Sequence, residues 1–336
     1  MASSMTHTEV RKSIAPVKPR ALGRNSRVGI FAPASPAEEA RVVQGLAELR
    51  SLGFVPEENF PRDTQAYFSA STETRLNHFL SLLNSSPDIA ALIATRGGYG
   101  SNYILECGGS TSLLRRMTPP PAPKCIVGYS DLTSLQIFLW QTFRWVSFYG
   151  PMVAAGFDAG ANTAKGYDRS YFEAAVLGTA SSWKVDLQGE AISQGTTEGV
   201  VLGGCLTLVE TTLGTPWELD TTDCILLLED RGMKPWQIDR ALMHLIQAGK
   251  LRDVQGIVLG DFPDCDPPVA GSPTAKDICV RILSPLGIPI LYGAPVGHTA
   301  RPMLTVPLGI RAKLTAEGSG VLEFLEAAVI SSEQTK

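Results

Sequence analysis

The stretch Cys125-Ile-Val-Gly-Tyr-Ser130, followed by Leu132, Leu135, Ile137 and Leu139, decides the fold. A short apolar run passes through a glycine straight into a helical repeat, which predicts strand, tight turn and helix in succession. The same order recurs toward the N-terminus. Arg27-Val-Gly-Ile-Phe-Ala32 predicts a buried strand, and Ser35-Pro-Ala-Glu38 reads as a capping box with proline at the first helical position. Val43, Leu46 and Leu49 then recur at helical spacing before Gly53 supplies the stop. A second helix follows Thr72, with Leu76, Phe79, Leu80 and Leu83 on one face, and a strand over 89–95 runs into Arg96-Gly-Gly-Tyr-Gly100. Strands alternating with helices predict a parallel sheet with crossovers, an α/β layer domain.

Beyond residue 158 the pattern weakens until about 195. Strands are then expected near 198–202, 224–228, 256–260 and 290–293. A helix over 235–248 carries Ile238, Leu242, Leu245 and Ile246, with Gly249 ending it. Residues 304–324 predict two or three antiparallel strands turning at Glu317-Gly-Ser-Gly320, so this half is mixed α+β. The expected organisation is a disordered basic tail over 1–26, an N-terminal α/β domain over 27–160, a linker over 161–195 and a C-terminal domain over 196–328.

The chain has 336 residues, 44% hydrophobic and 18% charged, the composition of a folded two-domain protein. Its net charge of −4 is too small to argue for a nucleic-acid partner. Residues 1–26 carry Arg11, Lys12, Lys18, Arg20 and Arg24 against Glu9, leaving the remainder at −8. This tail lacks the apolar run of a secretory signal, and Pro16 and Pro19 break the amphipathic helix that a transit segment needs. No stretch approaches the roughly 18 apolar residues that span a bilayer. Six scattered cysteines without a C-x-x-C pair read as reduced thiols, so the expected compartment is the cytoplasm.

Of four histidines, His7 lies in the tail, and His78 and His244 lie in amphipathic helices. His298 stands apart in Ala294-Pro-Val-Gly-His298, a loop directly after a strand, where catalytic groups concentrate. Ser130 follows a strand and opens a helix, which places its hydroxyl at the sheet's C-terminal edge beside the free N–H of Asp131. Alone, it reads more readily as a helix-capping serine. Glu229 ends the apolar run Cys224-Ile-Leu-Leu-Leu228, and a carboxylate there needs a partner, either His298 or an arginine such as Arg231 or Arg240. Gly97 and Gly98 can offer N–H groups to a substrate oxygen. No H-E-x-x-H is present, Asp264-Cys-Asp266 reads as a turn, and neither a metal nor a cofactor is expected. Ser130, Glu229 and His298 thus supply nucleophile, acid and base, each at a strand mouth.

These residues sit within a longer series: Ala32-Pro-Ala-Ser-Pro36, Tyr67-Phe68 with Arg75, Arg96-Gly-Gly-Tyr-Gly100, Gly128-Tyr-Ser-Asp-Leu-Thr133 and Gly150-Pro-Met152. It continues through Glu198-Gly199, Gly203-Gly204, Gly214-Thr-Pro216, Leu228-Glu-Asp230, Ile238-Asp-Arg240, Gly260-Asp-Phe262, Gly297-His298 and Pro307-Leu-Gly309. Over about residues 27–325 the chain resembles the LD-carboxypeptidases, a family of serine peptidases. The resemblance implies a flavodoxin-like, parallel-sheet N-terminal domain and a smaller mixed α+β, β-barrel-like C-terminal domain. It implies Ser130 as nucleophile, His298 as base and then acid, Glu229 as the orienting carboxylate, and the Gly98 and Asp131 N–H groups as oxyanion donors. It also implies a homodimer. One departure is Cys205, where the family carries asparagine after the paired glycines.

The activity so implied is removal of the terminal D-Ala from a muropeptide tetrapeptide in peptidoglycan recycling, with no nucleic-acid or membrane partner. Arg96, Tyr99 and Arg240, with Arg301, are the candidates for substrate contact and carboxylate recognition. A relative of the microcin C immunity proteins would instead cleave a nucleotide conjugate. Such a protein needs an aromatic-bearing loop, and 158–200 offers only Trp183 as a tryptophan. A catalytically silent muropeptide-binding protein is the third alternative.

Overall fold

Residues 15–85, 88–105, 113–117 and 120–331 are described in the computed structural model. The first half forms β1 (Arg27–Phe31), α1 (Glu39–Ser51), β2 (Val55–Glu57), α2 (Thr72–Asn84), β3 (Ile89–Ala94), α3 (Ser101–Leu105), α4 (Leu113–Arg116), β4 (Cys125–Gly128), α5 (Thr133–Phe143) and β5 (Ser147–Tyr149). Helix α6 (Arg169–Leu177) leads to β6 (Trp183–Asp186), β7 (Glu190–Ser193), β8 (Gly195–Cys205), α7 (Leu206–Glu210), β9 (Cys224–Glu229) and α8 (Pro235–Gln247). The chain continues through β10 (Gly256–Gly260), α9 (Ala275–Leu283), β11 (Ile290–Ala294), β12 (Val306–Leu308), β13 (Arg311–Ala316) and β14 (Val321–Phe324).

Strands β2-β1-β3-β4-β5 are parallel in that order, the flavodoxin-like arrangement, and β12 adds antiparallel to β5. The near-continuous apolar runs of β3 and β4 suit central strands covered on both faces. The second sheet is mixed, ordered β6-β14-β13-β8-β9-β10-β11-β7. Its edge strands β6 and β7 are joined by only residues 187–189, a link of at most about 14 Å. The sheet must therefore curl until the ends of its two edges approach, which gives the barrel-like form.

Helix α5 lies between the two halves. Residues 133–141 are all buried, with Leu135, Phe138 and Leu139 in one core and Ile137 and Trp140 in the other. A helix that is buried all round has no solvent face, so the helix that starts beside Ser130 is clamped from both sides.

Several expectations need correction. The tail was expected to be disordered through residue 26, yet residues 15–26 lie against the body. Val17, Ala21 and Leu22 donate backbone hydrogen bonds to Arg144, Ile330 and Val176, and Lys18 pairs with Glu326 at 2.5 Å. Residues 1–14 lie outside the described residues. The expected linker over 161–195 carries α6 and both edge strands of the second sheet; four-residue edge strands with half-exposed side chains leave little periodicity to read. Of the strands expected over 304–324, the first joins the opposite sheet as β12. In α1 the buried stripe runs through Val42, and Val43 faces solvent.

Candidate active site

Beyond β4 the chain turns so sharply that Ser130 adopts φ +64, left-handed for a residue with a side chain. A single 3-10 turn over Ser130–Leu132 then feeds α5. The turn is held by Asp131, whose buried carboxylate accepts the N–H groups of Gly100 at 3.3 Å and Ser101 at 2.8 Å. The Ser101 hydroxyl donates back to the Asp131 carbonyl at 2.5 Å. Burial pushes the Asp131 carboxyl up, and the hydrogen bonds from Ser101 and Gly100 oppose that push. These contacts press the 96–100 loop onto Ser130. A Cβ at Gly97 would stand 2.9 Å from Ser130 Cβ and 3.0 Å from its Oγ, so only glycine fits. Ser35, expected to cap α1, instead accepts the Tyr99 N–H at 3.2 Å, and α1 starts at Glu39 without a side-chain cap. Buried Arg75 ties the same loop down through the carbonyls of Ala70, Pro33 and Gly100.

Strand β9 delivers Glu229 to the facing side, fully buried. Its Oε2 accepts the His298 backbone N–H at 2.9 Å and the ring Nδ1–H at 2.8 Å. Its Oε1 accepts the Tyr149 hydroxyl at 2.5 Å, and that hydroxyl accepts the Ser130 N–H at 3.3 Å. The carboxylate therefore meets a histidine and a tyrosine, and the arginine partners raised as an alternative lie elsewhere. Tyr149 was missed in the sequence; its only signal is a hydroxyl at a strand end beside Gly150-Pro151.

With Nδ1 committed to Glu229, His298 Nε2 is the ring nitrogen left for proton transfer. Burial opposes charging the ring, but the Glu229 charge and hydrogen bond, helped by Asp230, outweigh it and leave its pKa raised. The ring packs edge-on against Tyr129 at 5.1 Å. Ser130 Oγ makes no hydrogen bond to the ring; both line one cavity of about 500 Å³, a volume suited to a small ligand.

Arg96, Gly97 and Gly98 line that cavity too, as do Arg41, Lys165 and Arg231. Tyr99 does not; it is exposed among Tyr67, Phe68 and Tyr103. Arg240 is exposed on α8 away from the cavity, and Asp239 pairs with Arg281. Arg301 is committed to Asp261 at 2.5 Å and to the carbonyls of Gln188 and Gly293, so it braces the His298 loop. Cys205, the departure noted in the sequence, is buried beside Asp230. Its thiol, pushed up by burial and the Asp230 charge, donates to Asp230 at 3.3 Å. Among the described residues no cluster of His, Cys, Asp and Glu could hold a metal ion.

The arrangement can deprotonate a hydroxyl and stabilise the resulting imidazolium. It depends on Gly297, which sits at φ +62 where a Cβ would overlap the Glu229 carboxyl group. Gly297→Ala should displace the carboxylate and cost about 1–3 kcal/mol. Thermal unfolding checks the stability, and the pH dependence of any hydrolysis checks the displacement. A variant with wild-type Tm and profile would contradict this packing.

The chain matches the family models described as the LD-carboxypeptidase N-terminal domain, over residues 28–150, and C-terminal domain, over 198–314. It is 32% identical over 310 residues to a Bacillus subtilis protein described as "Probable murein peptide carboxypeptidase", covering 91% of this chain and 94% of that one. It is 26% identical over 329 residues to the microcin C7 self-immunity protein MccF of Escherichia coli, covering 88% and 92%. The solved muramoyltetrapeptide carboxypeptidase from Oxalobacter formigenes superposes with a TM-score of 0.76 at 26% identity, covering 90% of this chain and 99% of that one. MccF in complex with glutamyl sulfamoyl guanosine gives 0.81 at 22% identity, covering 94% and 100%, a likeness of fold.

Proposed function

The chain belongs to the LD-carboxypeptidase family, and from that premise we propose that it is a serine carboxypeptidase releasing the terminal D-Ala of murein tetrapeptides. The observation carrying this reading is the His298–Glu229 hydrogen bond at the wall of the cavity that Ser130 enters from its left-handed turn. Ser130 Oγ attacks the carbonyl carbon before D-Ala while its proton passes to His298 Nε2. The oxyanion accepts the N–H groups of Gly98 and Asp131. The C–N bond then breaks, His298 returns the proton to the departing amine, and an ester on Ser130 remains. Water gives a proton to His298 and its oxygen to the ester carbon, and the Ser130 hydroxyl is restored as the acid leaves.

Incubating the purified protein with the tetrapeptide and measuring free D-Ala tests the reading; no release contradicts it, and release excludes a silent binding protein. His298 must be neutral to accept the proton, and its pKa is raised above 6.5. Activity should therefore rise with pH through a midpoint above 6.5, because the ring is protonated and inactive below it. A kcat/KM profile already flat at pH 6 would oppose this assignment.

MccF-like cleavage of a nucleotide conjugate is the second reading, on the strength of the fold likeness. The cavity argues against it. Trp183 is stacked on Phe324 at 4.6 Å in the second sheet, and among the described residues Tyr129 is the only Phe, Tyr or Trp lining the cavity. Hydrolysis of an aminoacyl sulfamoyl nucleoside faster than the tetrapeptide would reverse the ranking. The homodimer is part of the proposal and is tested by sedimentation. So is the cytoplasm, where the five buried free cysteines of the described residues would stay reduced.

A further inference from the structure

Four cations line the cavity, and two are already paired: Arg41 meets Asp158 at 2.6 Å and Arg231 meets Asp264 at 2.7 Å. Among the described residues Arg96 reaches only the Pro36 carbonyl, at 3.4 Å, and its guanidinium lies beside Gly98. Lys165 is exposed and takes part in no ion pair among the described residues. Its backbone is unusual: φ is +63, and Asn162 in the same loop has φ +57. Left-handed residues with side chains persist where surrounding contacts hold them. Here the contacts come from the segment that follows His298. Lys165 N–H donates to the Ala300 carbonyl at 3.2 Å, Met303 N–H to Gly166 at 3.1 Å, and Asp168 N–H to Met303 at 2.9 Å.

We propose that Lys165 holds the free carboxylate of the leaving residue and so makes the hydrolase cut only at a C-terminus. The inference rests on the peptidase reading above. The amine that His298 protonates and the terminal carboxylate belong to one residue, separated by a single α-carbon, about 3 Å. The anchor must then stand on the His298 side of the cavity. Arg96 stands on the Gly98 side, with the oxyanion and the acyl half of the substrate. Lys165 is tied to Ala300, two residues past His298, and its ammonium is a compact charge on a flexible stem that suits a carboxylate. An uncompensated cation in a chain of net charge −4 is also what an anionic ligand would neutralise.

The test compares kcat/KM for two tetrapeptides, one ending in free D-Ala and one in D-alaninamide, with wild type, Lys165→Met, Lys165→Arg and Arg96→Met. Wild type should prefer the free acid by about 10- to 100-fold. Lys165→Met should lose that preference, and a Tm equal to that of wild type shows the variant is folded. Lys165→Arg should keep most of the preference. Lys165→Met that still prefers the acid, or loss of the preference in Arg96→Met alone, overturns the proposal and leaves the peptidase reading intact. Release of product from neither peptide by wild type overturns both.

Discussion

Replacing Ser130 with alanine should reduce D-Ala release by roughly 10⁶-fold, the scale on which a peptidase loses rate with its serine. Among the described residues the hydroxyl makes no hydrogen bond, and alanine tolerates φ +64 about as poorly as serine does. The fold should therefore hardly notice, with stability changed by less than about 0.5 kcal/mol. Asp131 and Tyr149 still hold the turn, because they act on its backbone and not on Oγ. A large loss of rate at constant Tm, with tetrapeptide binding retained, is the expected result by calorimetry and product assay. Rates within tenfold of wild type would remove Ser130 from the chemistry.

Glu229→Gln should cost roughly 10⁴-fold in kcat, the scale set by an orienting carboxylate made into an amide. Glu229 accepts three donors: the His298 N–H, the His298 Nδ1–H and the Tyr149 hydroxyl. Glutamine has one acceptor oxygen and two donor hydrogens. If its oxygen faces His298, the amide opposes the Tyr149 hydroxyl and disturbs the bond to Ser130 N–H. If it flips, Nδ1 must accept, the proton moves to Nε2, and the ring can no longer take a proton from Ser130. The charge that raises the His298 pKa is lost as well, and burial then dominates. The acid limb of the residual activity should move to lower pH than in wild type. An unshifted limb with rate retained within tenfold would mean that Glu229 only packs.

Much of this was legible from local pattern. Alternation of strands and helices announced the parallel sheet, because crossover connections demand it. Ser130, Glu229 and His298, the proposed nucleophile, acid and base, stood out because each follows an apolar run and so emerges where a strand ends. The residues that were missed owe their place to distant chain. Tyr149 matters through Glu229, 80 residues away, and Ser35 caps no helix because it serves the loop at Tyr99, 64 residues on. Arginines drew attention as carboxylate binders, yet Arg301 is consumed by Asp261, a pairing that spacing does not reveal. Residues 15–26 looked like a free tail because their partners lie near 144, 176 and 330. In α1 the one-residue error between Val42 and Val43 is a rotation of about 100° about a helix axis.

The central claim is that Ser130 attacks the carbonyl with His298 and Glu229 behind it. A serine-directed phosphonate that mimics the tetrapeptide's D-Ala end tests it most directly, with the adduct located by peptide mass spectrometry. The expected result is one adduct, on Ser130, forming faster as pH rises through the raised His298 pKa and far more slowly in Glu229→Gln. An inhibited protein carrying no adduct on Ser130, or one labelled equally fast without Glu229, would contradict the account.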